Sequence, residues 1–539
     1  MLQYDPLSYR YPSRRTVLFA RRGMTCSTSP IVSGVGLDML KAGGNAVDAA
    51  LAMAALIPLA EPTSNGLGSD CFALIWYHGK LYGLNGSGIA PQGLSAKTVR
   101  SLGYEKMPRD GWLPVMVPGA PRAWAELRRR FGTAPFSDIF APALAYARDG
   151  YAVPVNPARG WDDAIRRYRA AQKCLPGVFD EWFRVFTKDG APYTAGDLFR
   201  WPEYADALES LAASDCESFY TGELMRATVA ESAKRGGYLT AADLAAYRPL
   251  WQEPISVRYR DLTVYEMPPN GHGITALMAL NILSGLEMPK EREDPLTYHY
   301  MIEAVKLAFA DVLTYVADPA YMRVSTEQLL SPAYAASRRA LIGETALLPE
   351  AGDPACGGTV YFCTADGEGN MVSFIQSNYN GFGSGVVVPG TGISLQNRGA
   401  NFSLDEQSPN VLAGGKRAYH TIIPGFLARN GTPVGPFGVM GAFLQPQGHV
   451  QVVVNMADYG MNPQECLDAP RFLWTGGRNV QLEKEVSAGI GAALEKRGHL
   501  ITVPGSNYAM GRGQIITRLP NGTLAGGTEP RADGSIAIW

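Results

Sequence analysis

The pattern of apolar and polar positions predicts that the chain begins with helices and a hairpin. Between residues 30 and 62, apolar residues recur at helical spacing on both sides of a Gly-Gly pair, and Asn45 is placed to cap the second run. The next residues, 63–88, contain a glycine-rich loop and two strand-like runs with a turn at His78. We therefore predict two helices followed by a β-hairpin.

A mostly helical middle follows, roughly over residues 119–350. Its clearest predicted elements are a strand pair over 252–269 and helices over 274–286, 297–316 and 332–343. The segment 344–358 contains two prolines and three glycines and shows little periodicity. We predict that this segment is a linker.

Strand-like runs dominate beyond the linker. Short apolar, β-branched stretches predict strands over 360–366, 371–377, 421–428, 449–456 and 514–519, with a helix over 489–498. Helices in the first two-thirds of the chain and strands in the last third indicate an α+β or layered αββα body.

Composition and charge narrow the class of protein. Hydrophobic residues make up 46% and charged residues 18% of the 539 positions, which excludes a disordered or fibrous chain. A net charge of −2 gives no basic field for nucleic acid or anionic lipid. The most apolar run, 46–60, is too short to span a bilayer and contains Asp48 and Pro58, so we interpret it as a buried helix.

The cysteines and the N-terminal residues bear on the compartment. Seven cysteines are scattered without a C-x-x-C pair, and no histidine pair has ligand spacing, so neither a disulfide framework nor a metal site is indicated. The first residues lack the apolar core of a secretory signal. We therefore predict a cytoplasmic protein with reduced thiols.

One position carries candidate chemistry. Thr359 follows Gly358 at the end of the linker and opens a strand-like run. A Thr hydroxyl is a poor nucleophile unless the residue is N-terminal, where its own α-amine, with a pKa of about 7.7–8.0, serves as general base. That role requires cleavage before Thr359. The local pattern alone is better explained by a Thr that merely begins an edge strand.

Longer segments change this interpretation. The runs 43–70 and 359–397 resemble the γ-glutamyltransferase family. Further stretches similar to family landmarks occur in family order and extend the resemblance over nearly the whole chain, at 117–124, 266–283, 299–311 and 329–342.

The resemblance implies the four-layer αββα N-terminal-nucleophile hydrolase fold. Members are made as one inactive chain and cut themselves, here into a mostly helical large subunit, 1–358, and a β-rich small subunit, 359–539. The Thr359 hydroxyl would attack the Gly358 carbonyl, and water would cleave the resulting ester. The mature enzyme would attack a small-molecule amide, form an acyl-enzyme and pass the acyl group to water or an amine. No metal or organic cofactor is implied, and a dimer of the subunit pairs stays open.

The family pattern also assigns supporting groups. It places a second hydroxyl beside the nucleophile, and Ser377 occupies that position, where Thr is usual. A Gly-Gly pair supplies backbone N–H groups to the oxyanion, and Gly441-Ala442 matches it.

The positions that hold the amino-acid part of a γ-glutamyl substrate depart from the family pattern. The family residues are Arg, Asn, Gln, Asp and Ser-Ser, and the residues here are Ser87, Tyr379, Arg398, Asn401 and His420-Thr421. Loss of the Asp and gain of an Arg reverses the charge of this part of the site, and a guanidinium favours a carboxylate over an ammonium. His420 and Thr421 could add donors to the same anion. A surface ion pair with an acid such as Asp405 is an equal alternative for Arg398.

These substitutions are similar to those of the acylase branch, which includes cephalosporin (glutaryl) acylases and oxamate amidohydrolase. The acyl group would come either from γ-glutamyl compounds such as glutathione or from an acid without an α-amino group, such as a glutaryl amide or oxamate. A non-enzymatic alternative is an unprocessed, catalytically silent homologue that binds a ligand. A nucleotide-binding loop at 381–390 is disfavoured because it lacks the G-x-G-x-x-G order. The other histidines are predicted to lie in turns or on element surfaces with structural roles, at positions 78, 272, 299, 449 and 499.

Overall fold

Two seven-stranded antiparallel sheets lie at the centre of the computed structural model, which describes residues 15–349 and 360–539, apart from the side chain of Tyr508. The strands are β1 (Leu18–Ala20), β2 (Gly23–Ser27), β3 (Asp70–Tyr77), β4 (Lys80–Gly86), β5 (Tyr151–Ala152), β6 (Leu198–Phe199), β7 (Leu250–Gln252), β8 (Ile255–Tyr259), β9 (Leu262–Glu266), β10 (Val360–Asp366), β11 (Met371–Ser377), β12 (Val387–Val388), β13 (Ile393–Ser394), β14 (Gly425–Arg429), β15 (Thr432–Met440), β16 (Phe472–Gly476), β17 (Asn479–Leu482), β18 (Leu500–Thr502), β19 (Arg512–Arg518), β20 (Leu524–Thr528) and β21 (Ser535–Ile538).

Helices cover the outer faces of the two sheets. They are α1 (Pro30–Lys41), α2 (Ala46–Ala60), α3 (Ala96–Ser101), α4 (Ala120–Phe131), α5 (Phe136–Asp149), α6 (Val155–Ala171), α7 (Asp180–Phe186), α8 (Pro202–Ala213), α9 (Glu223–Lys234), α10 (Ala241–Ala246), α11 (Gly273–Leu283), α12 (Pro295–Tyr315), α13 (Thr326–Leu329), α14 (Pro332–Arg339), α15 (Leu444–Ala457), α16 (Pro463–Asp468) and α17 (Ala488–Lys496). Short 3₁₀ turns occupy Glu217–Phe219, Pro319–Tyr321, Arg398–Asn401 and Asn507–Met510.

The layers are α/β/β/α. One sheet has the strand order β1-β20-β19-β15-β14-β9-β8 and the other β21-β2-β10-β11-β3-β4-β7. An apolar cluster that includes Tyr361, Ile375, Phe426 and Ile516 fills the space between the sheets. Separate clusters join the second sheet to α1, α2, α4 and α5 and the first sheet to α11, α12 and α15. The predicted four-layer α+β fold is therefore confirmed.

The two described ranges, 15–349 and 360–539, do not form separate sheets. Each sheet contains strands from the range that ends at 349 and strands from the range that begins at 360. β10, the first strand after the gap, lies between β2 and β11 in the middle of its sheet. The helix-rich and strand-rich parts of the sequence are thus interleaved in one body.

Most predicted elements are present. The first two predicted helices are α1 and α2, and Asn45 caps α2 in a capping box with Asp48. α2 is buried on every side, because it lies under α1 and α5 and on the sheet that contains β10. The predicted hairpin is β3–β4, and its turn residue His78 has a positive φ of 45°. None of the described helices is both long and apolar enough to cross a membrane.

The predicted strand over 449–456 is wrong. These residues belong to helix α15, which is buried along nearly its whole length between β15 and α11. A helix buried on all sides has a continuous apolar sequence, as a buried strand does, so periodicity could not separate the two. The β-branched valines favoured the wrong choice. The strand predicted over 421–428 also begins later, at Gly425.

Candidate active site

The candidate site lies where β10, β11 and β3 lie side by side. Val360 pairs with Gln376, and Ser377 pairs with Asp70 on β3. The predicted nucleophile and cleavage residues, Thr359 and Gly358, lie outside the described residues. Ser377 is buried, and its Oγ accepts a hydrogen bond of 2.8 Å from the Tyr379 N–H. The predicted second hydroxyl is therefore placed at the end of β11 that adjoins the start of β10.

Gly441 and Ala442 form the turn between β15 and α15. Their carbonyls accept hydrogen bonds from Leu444 and Gln445, while neither of their own N–H groups donates to another described residue. Two free backbone N–H groups at the N-terminus of a long helix suit a developing negative charge, because the helix dipole adds to them. The replacement of a second glycine by Ala442 thus leaves both donors available.

The backbone around this turn is strained at non-glycine residues. Ala442 has a φ of 51°, Tyr379 a φ of 76° and Phe382 a φ of 54°. Left-handed backbone costs an L-residue roughly 1–2 kcal/mol, and such strain concentrates at functional sites. Ala442 therefore holds its N–H direction at an energetic cost that a glycine would avoid.

A cavity of about 610 Å³ opens beside the turn. Its lining includes the apolar side chains of Met440 and Trp474 with the turn residue Gly441, and also Asn380 and Gly381. The charged lining groups are Arg109, Arg167, Arg512 and Asp163. The cavity therefore has an apolar wall next to the candidate oxyanion donors and a predominantly basic remainder.

Arg398 is buried against Tyr379, the residue that precedes the cavity-lining Asn380. Its Nη1 donates to Thr421 Oγ1 at 2.7 Å, and its guanidinium lies 4.3 Å from the centre of the Tyr379 ring. Its Nε is 3.8 Å from Asp70 Oδ2, and neither Nε nor Nη2 has a hydrogen-bond partner among the described residues. Burial lowers the pKa of Arg398 to about 10. The alternative of a surface ion pair with Asp405 is wrong, because the side chain is 1% exposed and faces Asp70.

His420 contacts the same carboxylate. Its Nε2 lies 2.9 Å from Asp70 Oδ2, and its Nδ1 accepts the Ile422 N–H at 3.4 Å. Burial, and then the nearby positive charge of Arg398, lower the pKa of His420 well below its usual value. We therefore assign a neutral imidazole whose Nε2–H donates to Asp70.

Asp70 is the residue that sequence analysis missed. It is buried, its Oδ1 accepts the Gly88 N–H at 2.9 Å, and burial raises its pKa to about 7 against the opposing effect of Arg398. The sequence analysis predicted that this part of the site changes from negative to positive charge. That prediction is corrected by Asp70, because its carboxylate faces Arg398. A signal existed, since an acid that begins an otherwise apolar buried strand needs a partner.

Two predicted binding residues are occupied by other contacts. Ser87 Oγ donates to Asn85 Oδ1 at 2.7 Å and accepts from Arg417 Nη1 at 3.1 Å. The Asn401 amide donates to the Tyr419 carbonyl at 3.0 Å. Arg398, His420, Thr421 and Tyr379 are therefore brought together, whereas Ser87 and Asn401 support the surrounding loops.

The predicted placement of the other histidines in turns or on element surfaces is wrong for His299 and His449, which are buried within α12 and α15. His78 does lie exposed in its turn, but the remaining four are buried, at positions 272, 299, 449 and 499. His272 is close to the candidate site, because its N–H donates to the His420 carbonyl at 2.9 Å and its Nδ1 is 3.1 Å from Tyr419 Oη. Burial lowers the pKa of His272 to about 3.

One buried group in the described ranges has the ligand types for a metal ion. His299, Glu303 and His499 offer atoms that all lie within 4.8 Å of one another. The Lys306 ammonium, however, lies 2.7 Å from Glu303 Oε1 and 3.5 Å from His499 Nδ1. The lysine thus supplies the cation, and we interpret the group as an internal charge network.

The chain matches known proteins over nearly all of its length. Residues 32–539 match the family model described as gamma-glutamyltranspeptidase. The chain is 34% identical to a glutathione hydrolase-like YwrD proenzyme of Bacillus subtilis, over 95% of this chain and 97% of that protein. It is also 34% identical to an oxamate amidohydrolase proenzyme of Klebsiella pneumoniae, over 96% of this chain and 98% of that protein.

Structural comparison gives the same result. The crystal structure of a cephalosporin acylase from Bacillus halodurans matches with a TM-score of 0.96 and 54% identity, covering 100% of this chain and 99% of the other. The resemblance predicted from sequence is confirmed. The chain therefore belongs to the gamma-glutamyltranspeptidase family of N-terminal-nucleophile hydrolases and transferases, which use a Thr as nucleophile.

Proposed function

We propose that this protein cleaves itself between Gly358 and Thr359 and then hydrolyses amides of an acid that has a distal carboxylate and no α-amino group. A glutaryl amide is the model substrate. The observation that carries the proposal is Arg398, a buried guanidinium with two nitrogens that lack hydrogen-bond partners in the described part of the chain. Buried polar groups without partners are uncommon in folded proteins, and a carboxylate is the ligand that a guanidinium binds best.

The proposed reaction uses Thr359 twice. In the precursor its hydroxyl attacks the Gly358 carbonyl, the peptide nitrogen leaves as the new α-amine, and water hydrolyses the ester. In the mature enzyme the α-amine accepts the hydroxyl proton as the oxygen attacks the substrate amide, and the same proton goes to the leaving amine. Water then hydrolyses the acyl-enzyme ester, which releases the acid and restores the Thr359 hydroxyl. The N–H groups of Gly441 and Ala442 are proposed to bind the oxyanion, and Ser377 to position the nucleophile.

The residues around Arg398 support an acyl group without an ammonium. A substrate ammonium in a buried site needs an anion, and the nearest carboxylate, Asp70, already accepts from Gly88 and His420. Asn380, which lines the cavity, follows Tyr379, whose ring packs against Arg398. A short acyl chain held at Gly441 would therefore extend its far end towards the guanidinium. The names of two relatives, an oxamate amidohydrolase and a cephalosporin acylase, are in keeping with hydrolysis of an amide.

A γ-glutamyl donor is the second candidate, and Asp70 is the observation that favours it. Its carboxylate is buried in the same cluster and could approach an ammonium. This would require Asp70 to exchange its present partners for the substrate, so we rank it second.

The test compares two chromogenic substrates that differ only in the α-amino group, glutaryl-p-nitroanilide and γ-glutamyl-p-nitroanilide. Intact mass and N-terminal sequencing first establish whether a fragment beginning at Thr359 is formed, with T359A as the uncleaved control. We expect two fragments and a higher kcat/KM for the glutaryl compound. A chain that remains whole and inactive would support the silent ligand-binding alternative, and activity on the γ-glutamyl compound alone would reverse the ranking of substrates.

The compartment is a further part of the proposal. The six cysteines in the described ranges are free thiols, which is typical of cytoplasmic proteins, and we propose that the enzyme works there. Subcellular fractionation with an antibody to the chain would test this.

A further inference from the structure

Asp70 joins the separate segments of the candidate site. Its Oδ1 accepts the Gly88 N–H at 2.9 Å, and its Oδ2 accepts the His420 Nε2–H at 2.9 Å. The same Oδ2 lies 3.8 Å from Arg398 Nε, close enough for an ion pair but too far for a hydrogen bond. Asp70 is therefore held by two donors in a position that faces one edge of the guanidinium.

The guanidinium is held in a way that leaves a defined edge for a ligand. Its Nη1 is bound to Thr421 Oγ1, while Nε and Nη2 lack hydrogen-bond partners in the described ranges. A carboxylate that binds Arg398 in the bidentate manner would use Nε and Nη2. Nε is also the nitrogen that faces Asp70, so the ligand and Asp70 would share one edge of Arg398.

We propose that Asp70 is a specificity-determining and positioning residue whose protonation controls the affinity of Arg398 for the acyl carboxylate of the substrate. The inference rests on the proposed function, because it assumes that this carboxylate binds at Arg398. When Asp70 carries a proton, the guanidinium charge is available to the ligand. When Asp70 is ionised, it neutralises Arg398 and repels the incoming carboxylate.

The groups around Asp70 leave it as the member of the cluster that titrates near neutrality. The charged or titratable groups that face it from the neighbouring segments are Arg398, Arg417, His420, Cys71 and Tyr247. The pKa of His420 is well below its usual value, and burial raises the pKa of Cys71 and that of Tyr247. With Asp70 at a pKa of about 7, the charge of the cluster falls by one as the pH rises through neutrality.

The protonation state of Asp70 determines whether the affinity for a carboxylate rises or falls with pH. Below pH 7 the protonated carboxyl leaves Arg398 without a competing anion, so affinity for a carboxylate ligand is highest. Above pH 7 the affinity falls. If a bound carboxylate shifts the pKa of Asp70 by about one unit, the two protonation states differ in affinity by about tenfold.

Calorimetric titration of the purified protein with glutarate between about pH 6 and pH 8 tests the proposal without relying on turnover. Pentanamide has the same chain length but no carboxylate, so it controls for other groups that titrate. D70N retains the volume and stays neutral at every pH. D48N removes an equally buried carboxylate from the N-terminal cap of α2, outside the site.

We expect the dissociation constant of glutarate to rise severalfold, up to about tenfold, from about pH 6 to pH 8 in the wild type and in D48N. It should stay nearly constant in D70N, and the dissociation constant of pentanamide should change little with pH in any of the proteins. A glutarate profile that D70N does not flatten, or an equal profile for pentanamide, overturns the proposal.

Two further outcomes are decisive. If D70N does not fold, the wild-type difference in pH dependence between glutarate and pentanamide still decides, and its absence overturns the proposal. Absence of glutarate binding also overturns it. Failure of the proposed function looks different, because the Gly358–Thr359 bond would remain intact and no amide would be hydrolysed.

Discussion

Replacement of Arg398 by Gln should separate substrates by charge. The side chain has one described hydrogen bond, to Thr421 Oγ1 at 2.7 Å, and an ion-pair contact of 3.8 Å with Asp70. Its two remaining nitrogens are the proposed donors to the acyl carboxylate. R398Q therefore removes the bidentate pair while disturbing few internal contacts.

The expected size of the effect follows from those two bonds. Hydrogen bonds to charged groups contribute roughly 1.5–3 kcal/mol each, so the loss of the bidentate pair should cost about 3 kcal/mol of transition-state binding. That corresponds to a decrease of about 100-fold in kcat/KM for a glutaryl amide. The free energy of unfolding should change by only about 1 kcal/mol, since removing a poorly compensated buried charge offsets the lost bond.

The assay measures kcat/KM for glutaryl-p-nitroanilide and for pentanoyl-p-nitroanilide, which lacks the distal carboxylate. R398Q should lower the first by about 100-fold and leave the second within about threefold. R398K keeps the charge without the planar fork and should give an intermediate value for the glutaryl compound. Equal losses with both substrates would refute the assignment, because they would mean that Arg398 only maintains the structure.

Three further predictions concern stability. A442G should raise the free energy of unfolding by up to about 1 kcal/mol, because relief of left-handed strain at φ 51° outweighs the entropy of the added glycine, and urea titration that shows a loss would contradict this. The Asp70 carboxyl, with its pKa raised to about 7, binds a proton in the folded state that the unfolded chain releases near its ordinary pKa. The free energy of unfolding should therefore fall by on the order of 4 kcal/mol as the pH rises from about 4 to about 7. Urea titrations across this pH range should show that D70N abolishes this part of the pH dependence. K306M should lower the free energy of unfolding by about 3–5 kcal/mol because it leaves Glu303 buried without its partner at 2.7 Å, and E303Q/K306M should recover part of the loss.

Functional groups that are far apart in the sequence meet in the fold through strand pairing. Ser377 lies beside Asp70 because β11 pairs with β3, although the residues are more than three hundred positions apart. Gly441 reaches the site from the opposite sheet, at the end of β15. The site is thus assembled from both sheets of the sandwich, in the place where the strand that begins at Val360 starts.

The amino-acid sequence by itself determined the elements and the family. Asn45 caps α2 because a side-chain oxygen and three following residues are enough to form the cap, and the β3–β4 hairpin needs only its alternation and its turn. The same local signals failed for α15, whose buried valines resemble a strand. Periodicity reports which faces are apolar, and it carries no information when every face is buried.

Only the tertiary structure decided the electrostatics of the site. Sequence placed Arg398 and His420 in one corner, but it could not show that Asp70 faces both, because the three residues come from three distant segments. The burial of Arg398 and the elevated pKa of Asp70 both depend on exclusion of water by the surrounding layers, as does the lack of partners among the described residues for two of the guanidinium nitrogens. Charge interactions are strong only where the folded chain removes solvent, so their balance belongs to the packed structure rather than to the order of residues.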